Sequence, residues 1–465
     1  MNASITKSSK ETRTGSQTLQ LEERVKIGKQ ARESVPFEMH SKLSFVPADR
    51  DLVEILEISN HGRAPELIPI RYGRMLVSPF AFFRGSAALM AKDLSRSPVS
   101  GFYVQACGDC HIQNFGAFAT AERQLVVDIN DYDETLPAPW EWDLKRLGTS
   151  LVLAALANGY SYELGMEAAR RMAKSYRQFI AELSEMSHLE EWYYKVAFEE
   201  LSEGAEQETR ERGARLLEEA IEKSSPEVLM EKLVEKRNGV LRFREVPPLL
   251  CHIEGISAGA TEKEVFEEYC NTLSDERQSL LRKFQLVDVA RKVVGIGSVG
   301  TFCGVVLLTS ERSDILVLQI KEARQSVLEP YAGKSKYAHH GQRVVSGQKL
   351  MQTASDMFLG WTTGKRPPFK HFYVRQLRDV KIAVNTAYWS KEDFKIFSKV
   401  AGRILAKAHA RSGDSTILRA YLGKSEQFDE SIAAYSLAYA KQTEQDYRRF
   451  VRACKLGKLK AELID

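Results

Sequence analysis

The residues best suited to chemistry lie between positions 107 and 134, in the sequence CGDCHIQNFGAFATAERQLVVDINDYDE. A glycine–aspartate turn at Asp109 is followed five residues later by Asn114, and a β-rich run then leads into Asp128 and Asp131. Carboxylate and amide oxygens are ligands of hard cations such as Mg²⁺, and a remaining carboxylate can orient a nucleophile. The segment therefore predicts a site for magnesium and phosphate chemistry.

A second motif, Gly295, Gly297 and Gly300, has the form G-x-G-x-x-G, with Ser298 between the last two glycines. A dinucleotide-binding turn needs a helix directly after the glycines, whereas the residues that follow here, TFCGVVLL, favour a strand. The motif therefore predicts a β-hairpin tip whose backbone N–H groups can cover phosphates. A plain turn is the alternative interpretation.

Lys321 ends the apolar strand LQIK, which matches the V-A-I-K strand of kinases, whose lysine contacts the α- and β-phosphates. A lysine at a strand end can also be an ordinary surface residue. Glu329, on the following turn, is the candidate carboxylate for fixing this lysine. Glu322 is the competitor, although strand alternation directs it to the opposite face. Together, the glycine motif and the lysine favour a nucleotide site.

Asp109 and Asn114 also match the D-x-x-x-x-N spacing of the kinase catalytic loop, and Asp128 falls where the metal-binding aspartate of D-F-G belongs. The order along the chain differs from that of kinases, because the catalytic segment precedes the glycine motif and Lys321 by nearly two hundred residues. Chain order does not matter to a site if the usual termini are joined and the chain is opened elsewhere. The pattern predicts a circularly permuted kinase-like fold.

The predicted fold class is α+β, with a largely helical large lobe and a small antiparallel β lobe. Residues 1–20 are rich in Ser, Thr and Lys and are predicted to be disordered. Residues 21–286 form the large lobe with its catalytic and metal loop at 107–134. Residues 287–380 form the nucleotide-binding lobe, and residues 381–465 add helices that complete the large lobe.

Two elements next to the catalytic segment bear on its position. A long apolar helix is predicted to begin at Pro79, after a connecting stretch from Pro69 to Met75. Its Arg84 either snorkels or forms a salt bridge at the helix edge, or contacts an anion near the site. Asp143 lies near the start of a later helix, where a carboxylate suits the helix dipole and can brace a neighbouring loop.

Composition excludes several functional classes. The formal net charge is +4, from 66 basic and 62 acidic residues, so charge gives no basis for binding nucleic acid or a membrane surface. No run of about 18 apolar residues occurs, the N-terminus is polar, and six cysteines lack framework spacing. These features predict a cytoplasmic protein. Cys107, Cys110 and His111 satisfy C-x-x-C-H, but haem attachment follows export and no second cysteine pair completes a zinc site.

The segments CGDCHIQNFG and VVDINDYDE resemble the H-G-D-x-H-x-x-N and I-D-F/W segments of aminoglycoside-phosphotransferase-like and choline-kinase-like enzymes. Over residues 30–450 the chain also closely resembles a bacterial family of unknown function. The enzyme resemblance implies Asp109 as catalytic base, Asn114 and Asp128 as metal ligands, and Lys321 as the phosphate lysine.

The chain also departs from this enzyme pattern. Cys107 replaces the usual histidine, the glycine of D-F-G is absent, and Asp131 competes with Asp128 for the metal. His409 lies on a helix like the one that kinase-like enzymes place beside the catalytic loop.

The predicted function is an ATP- and Mg²⁺-dependent phosphotransferase that acts on a small molecule, with no nucleic-acid or membrane partner. A nucleotide-binding regulator without catalysis is the first alternative, because of the missing histidine and glycine. A transferase of the nucleotidyl (AMP) group on the same fold is the second. No motif identifies the acceptor.

Overall fold

The computed structural model describes residues 20–43, 46–47, 50–198, 207–223, 228, 232–247, 249–252, 259–293, 295–377 and 381–463. About half of the chain is helical and all paired strands are antiparallel, which confirms the α+β class. The tail predicted to be disordered, residues 1–20, lies outside the described ranges except for Gln20. Within those ranges no helix has both the length and the apolar character needed to cross a membrane.

The helices are α1 Leu21–Ser34, α2 Leu52–Ser59, α3 Ile68–Met75, α4 Pro79–Gly85, α5 Ala87–Leu94, α6 Trp140–Ala157, α7 Tyr162–Leu183, α8 His188–Tyr193, α9 Gln207–Lys223, α10 Ala260–Cys270, α11 Asp275–Leu281, α12 Glu329–Ala332, α13 His340–Met351, α14 Lys391–Ala410, α15 Ser415–Leu422 and α16 Gln427–Lys455. The strands are β1 Tyr103–Ala106, β2 Phe115–Ala119, β3 Leu125–Ile129, β4 Leu136–Pro139, β5 Val234–Arg237, β6 Val240–Phe243, β7 Leu250–Cys251, β8 Phe284–Lys292, β9 Cys303–Ser310, β10 Ile315–Glu322, β11 Gly360–Thr363, β12 His371–Gln376 and β13 Lys381–Ala383.

Six of these strands form one antiparallel sheet in the order β11-β12-β10-β9-β8-β7. Strands β8 and β9 pair directly across the glycine motif, which confirms that the motif is the tip of a β-hairpin. Strands β9 and β10 form the next hairpin, as the sequence predicts. At the end of β10, Lys321 lies opposite Cys303 on one side and Tyr373 on the other. This register holds the lysine in the middle of the sheet.

Both faces of the six-stranded sheet are covered. Helices α10 and α11 pack on one face through a cluster that includes Tyr269, Leu281 and Leu318. The hairpin of β5 and β6 covers the other face through Val234, Phe243 and neighbouring apolar side chains. The part of the chain that packs around this sheet therefore begins well before residue 287.

The catalytic segment lies on two small sheets that pack against the helical part. Strands β1 and β4 pair with each other, and β2 lies between β13 and β3. Behind them, α6 is almost entirely buried, and it packs against α7 and α16. Because α6 is enclosed in the largest apolar cluster, the polar side chains on its first turns have fixed positions from which to hold the loops beside it.

The region before the catalytic segment departs from the prediction. The stretch from Pro69 to Met75, predicted to be a connection, is helical. Proline is tolerated in the first turn of a helix, and most apolar side chains of this stretch are buried. The single helix predicted from Pro79 is broken at Ser86. Two contacts of Gly85 explain the break. The Gly85 carbonyl accepts from Arg71 at 2.6 Å instead of continuing the helix. A Cβ at position 85 would lie 2.6 Å from the Met75 side chain.

Candidate functional site

The loop that carries Asp109 is held from two sides. Gly108 has φ +84°, and a Cβ at this position would lie 2.4 Å from the carbonyl oxygen of Glu134, so glycine is needed where the two loops touch. On the other side, the Asp143 carboxylate accepts from the backbone N–H groups of Cys107 at 2.6 Å and Gly108 at 3.0 Å. The predicted brace is confirmed, and His409 contacts the same carboxylate at 3.2 Å.

Asp109 itself is fixed by a charged neighbour. The Arg146 side chain, three residues after Asp143 on α6, donates from Nε to Asp109 Oδ1 at 2.6 Å and also reaches it from a terminal nitrogen at 2.5 Å. Burial raises the pKa of the Asp109 carboxyl, and the charge of Arg146 opposes that rise. Both contacts engage Oδ1, whereas Oδ2 lies 4.0 Å from Nε2 of His111, which lines the same cavity as Asp109.

Asn114 links the catalytic loop to the acidic loop that follows β3. Its side-chain Nδ2 donates to the backbone oxygen of Asp109 at 2.8 Å, and its backbone carbonyl accepts from the Asn130 N–H at 2.7 Å. With Nδ2 used inside the loop, the amide oxygen Oδ1 remains as a ligand atom. Asn114 lines the same cavity as Asp109, Asp131 and Asp133.

The acidic loop joins the catalytic segment to the six-stranded sheet. Lys321 Nζ donates to Asp133 Oδ2 at 2.6 Å and lies 3.6 Å from Asp131 Oδ2, and the Tyr373 hydroxyl donates to Asp133 Oδ1 at 2.5 Å. Burial alone would lower the pKa of Lys321, but the charges of Asp131 and Asp133 raise it well above its ordinary value. The lysine therefore stays protonated beside these two carboxylates.

The glycine turn closes the site from above. Gly300 has φ +88° and its carbonyl accepts from Ala64 N–H at 2.7 Å. Arg63 donates to the carbonyl of Val299 at 2.6 Å, and Arg74 donates to that of Gly295. The turn is therefore fastened to the segment before α3 and to α3 itself, as well as to its own strands.

A cavity of about 480 Å³ lies between the glycine turn and the two loops. The predicted residues that line it are Asp109, Asn114, Asp131, Gly295, Gly297 and Ser298. Lys321 adjoins the cavity through its contacts with Asp131 and Asp133, both of which are lining residues. Motifs that lie nearly two hundred residues apart in the sequence thus face one space.

Comparison with known proteins gives one match. The model of a family described as an uncharacterized protein conserved in bacteria, DUF2252, matches residues 63–453. The chain belongs to this family. No curated protein and no solved structure matches it. The similarity to a bacterial family of unknown function is confirmed, and the DUF2252 region includes every residue described in this site.

Three of the predicted site residues of this DUF2252 chain lie elsewhere. Asp128 is 3% exposed and its Oδ2 lies 2.5 Å from Lys407 Nζ, so an ion pair inside the protein occupies the carboxylate. Glu329 accepts from Ser326 N–H at 3.4 Å, and the carboxylates beside Lys321 are Asp131 and Asp133. Gly300 supports the glycine turn without lining the cavity.

The predicted competitor Glu322 pairs with Lys370 at 2.8 Å and not with Lys321, and it also lines the cavity. The cysteine motif also has a structural role. Cys107 and Cys110 are buried, and burial together with the Cys107 thiol raises the pKa of Cys110 well above its ordinary value. A thiol that stays protonated is a poor metal ligand. Among the described residues no three His, Cys, Asp or Glu side chains form a group able to hold a metal by themselves.

Some residues of the site were not predicted. Arg146 has a signal that could have identified it, because it lies three residues after Asp143 and therefore on the same helical face. Asp133 belongs to the acidic run, but the sequence alone does not indicate which of its carboxylates meets Lys321. Arg63, Arg71 and Arg324 also line the cavity, and no motif marks them.

Proposed function

We propose that this protein is an ATP- and Mg²⁺-dependent phosphotransferase with a kinase-like site, acting on a small molecule. The observation that carries the proposal is the cavity shared by the glycine turn and Asp109, with Lys321 held beside its acidic wall. Glycine turn, strand lysine, catalytic aspartate and downstream asparagine are the parts that kinases use to position ATP. Their convergence from two distant segments supports one site.

The order of elements around the six-stranded sheet supports a circularly permuted kinase-like fold with two lobes. A glycine turn between β8 and β9, a lysine at the end of β10 and then helix α13 follow one another as the glycine loop, lysine strand and αC helix do in kinases. The catalytic loop, which comes after these parts in kinases, comes before them here. In this proposal the helices around α6 and α7 form the large lobe.

The residues present fit a magnesium ion that is shared with nucleotide phosphates. Mg²⁺ is commonly bound by one or two carboxylates together with substrate phosphates, so a complete protein cage is not required. Asn114 Oδ1 and the Asp131 carboxylate would hold the ion, and Asp131 is preferred to Asp128 because Lys407 occupies the latter. When bound, the ion would neutralise charge on the phosphate oxygens.

The chain's own residues would supply the remaining functions. Asp109 orients the acceptor hydroxyl and takes its proton, while Arg146 fixes the direction of the carboxylate. Lys321 offers a positive charge to the α- and β-phosphates, and Asp133 and Tyr373 fix its position. The N–H groups of residues Gly295 to Ser298, which line the cavity, would lie over the phosphates and exclude water. Transfer then depends on positioning and charge neutralisation.

A nucleotide-binding regulator without catalysis is the second candidate. The observation that favours it is the direct contact of Arg146 with Asp109, because this contact engages one carboxylate oxygen and its charge opposes the rise in the Asp109 pKa that burial causes. This candidate predicts Mg²⁺-dependent ATP binding with no release or transfer of phosphate.

The first test is calorimetric titration of the full chain with ATP, with and without Mg²⁺. We expect binding that requires Mg²⁺ and that weakens at least about tenfold in Lys321→Ala and in Asp131→Ala. Lys365→Ala is the control, since this lysine also pairs with a carboxylate, Glu268, but neither residue lines the cavity. Failure of the wild-type protein to bind ATP would refute the proposal.

The second test separates catalysis from binding. With γ-labelled ATP, the wild-type protein should release or transfer label, and Asp109→Asn should lose at least about 10²-fold in rate while still binding ATP. Equal rates in the two proteins would exclude Asp109 as the catalytic base. Binding without any label transfer would favour the regulator. Transfer of label from α-labelled ATP to product would indicate nucleotidyl transfer.

A further inference from the structure

One wall of the cavity is formed by arginines that the proposed mechanism does not use. Arg63 precedes α3, Arg71 lies within α3, Arg84 lies on α4, and Arg324 follows β10. All four line the same cavity as Asp109 and the glycine turn. Together these four residues form the arginine wall. Three separate segments bring them together, so the wall is a product of the tertiary fold.

The hydrogen bonds of the arginine wall go to neutral groups. Arg63 donates to the backbone carbonyls of Ser59 and Val299, at 3.2 and 2.6 Å. Arg71 donates to Asn60 Oδ1 at 2.7 Å and to the carbonyl of Gly85, and Arg324 donates to the carbonyl of His61. Among the residues that the structure describes, none of the four forms an ion pair with a carboxylate.

Two guanidinium groups of the wall also keep a donor unused. Arg71 is 2% exposed, and its Nε has no hydrogen-bond partner within the described part of the chain. The Nε of Arg84 is likewise buried without such a partner. A buried, charged donor without an acceptor is costly. A bound ion is one arrangement that satisfies such a donor.

Most acids of the cavity pair with cations outside the wall. Asp109 is engaged by Arg146, Asp133 by Lys321, and Glu322 by Lys370. Burial, followed by the charges of Arg71 and Arg324, lowers the pKa of Arg63 to about 8, although Glu134 and Glu322 act in the opposite direction. The positive charges of Arg63, Arg71 and Arg324 therefore oppose one another.

We propose that the arginine wall is a binding subsite for a phosphate group. Guanidinium groups form paired hydrogen bonds that match phosphate oxygens, and several of them around one cavity suit a dianion better than a single carboxylate. Arg84 and Asp109 line the same cavity, which places the subsite in the same space as the proposed catalytic base. The phosphate can belong to the nucleotide or to a phosphorylated acceptor. Assigning it to the acceptor rests on the proposed function, but the subsite itself does not.

The test uses inorganic phosphate as the probe and the full chain. Binding is measured by thermal unfolding and calorimetry, with sodium chloride at equal ionic strength as the reference. We expect phosphate to stabilise the wild-type protein beyond the effect of chloride. Arg63→Gln/Arg324→Gln should weaken phosphate binding at least about tenfold. Arg74→Gln is the matched control, because Arg74 also donates to a carbonyl of the glycine turn but does not line the cavity.

The choice of variants avoids a loss of folding. Arg71 is left intact, because its removal would leave buried acceptors without a donor. If the double glutamine variant fails to fold, the single variants Arg324→Gln and Arg324→Lys replace it. The lysine retains the charge but loses the paired donors, so we expect intermediate phosphate affinity. Equal phosphate affinity in the wild type, the Arg74 control and the wall variants would overturn the proposal. So would the absence of any effect beyond that of chloride.

The source of the phosphate is decided by repeating the titration with ATP and Mg²⁺ at saturation. Phosphate that still binds to the ATP-loaded protein assigns the subsite to a phosphorylated acceptor. Phosphate that ATP displaces competitively assigns it to the nucleotide. If the wild-type protein binds phosphate but not ATP, the subsite stands and the phosphotransferase proposal fails. The two proposals are therefore tested separately.

Discussion

Two aspartates at the end of the same strand have opposite surroundings. Asp128 is 3% exposed and pairs with Lys407, itself 1% exposed, at 2.5 Å. Asp131, three residues later, has a side chain that is 37% exposed, lines the cavity and lies 3.6 Å from Lys321. The first carboxylate is enclosed by the protein, whereas the second faces a space that a ligand can enter. Residue type alone therefore does not identify a metal ligand.

The difference follows from where each residue lies on the backbone. Asp128 is within β3, paired opposite Gly116, and its side chain points toward the helix that carries Lys407. Asp131 comes after the strand ends, in the loop that meets Lys321. A strand residue is committed to one face of its sheet, and a loop residue can be directed to the site.

The largest expected effect concerns the enclosed pair. Lys407→Met leaves the Asp128 carboxylate buried without its partner, so the free energy of unfolding should fall by about 3–5 kcal/mol. Urea denaturation with an unchanged m-value measures this loss. In the double variant Asp128→Leu/Lys407→Met both charges are removed, and most of the stability should return. A single variant as stable as the wild type would show that Asp128 is not enclosed.

The next effect concerns the open carboxylate. Asp131→Asn should weaken Mg²⁺-dependent ATP binding about 30-fold, equivalent to about 2 kcal/mol, while changing the free energy of unfolding by less than about 0.5 kcal/mol. Asp128→Asn is the matched comparison and should lose stability instead. Calorimetry and urea denaturation on both variants measure the two effects. If Asp128→Asn abolished ATP binding in a fully stable protein, the roles of the two aspartates would be reversed.

The sequence predicted the parts of the site whose chemistry is local. The glycine motif, Lys321 and the Asp109–Asn114 spacing each depend on neighbours in the chain, and their strands and turns were found where predicted. The choice between Asp128 and Asp131 could not be made, because it depends on Lys407, which lies 279 residues away. The arginine wall depends on tertiary packing in the same way.

The helix break at Ser86 shows the same limit. Its apolar sequence favours one helix, but the close approach of Met75 and the donor from Arg71 decide the outcome. Local helix propensity is overridden here because Arg71, on a different helix, donates to the backbone carbonyl that would otherwise accept the next helical hydrogen bond. For Asp143 the helix start predicts a carboxylate that can brace a loop, but the braced amides, those of Cys107 and Gly108, are set by the tertiary fold.

A smaller effect on stability is expected at Asp143, the enclosed carboxylate that holds the loop of the open site. Asp143→Asn removes one of the two acceptor oxygens used by the backbone N–H groups of Cys107 and Gly108. The free energy of unfolding should fall by about 1.5 kcal/mol. Hydrogen exchange at these two amides should become faster, whereas amides of the six-stranded sheet keep their protection. Unchanged exchange at both amides would contradict the brace.

The smallest expected effect on stability is at Lys145, a buried lysine that, unlike Lys407, forms no ion pair within the described residues. Lys145 is fully buried, and within the described residues its Nζ has no hydrogen-bond partner, although it lies 4.6 Å from the centre of the Tyr435 ring. Lys145→Met should therefore raise the free energy of unfolding by about 1 kcal/mol at pH 7, the opposite of Lys407→Met. A loss of stability comparable to that of Lys407→Met would mean that the ring and Glu141 compensate the charge.

The pH dependence provides an independent check on Lys145. Burial lowers its pKa from 10.5 to about 8, and the charge of Glu141 opposes that shift. Between these two values the unfolded chain binds more protons than the folded protein, so wild-type stability gains from this residue as the pH rises from 8 toward 10.5. Lys145→Met lacks this gain, and its advantage over the wild type should shrink across that range. Urea denaturation of both proteins at pH 7, 8.5 and 10 measures the difference, in which titrations common to both cancel. An advantage that stays constant with pH would mean that Lys145 keeps an ordinary pKa in the folded protein.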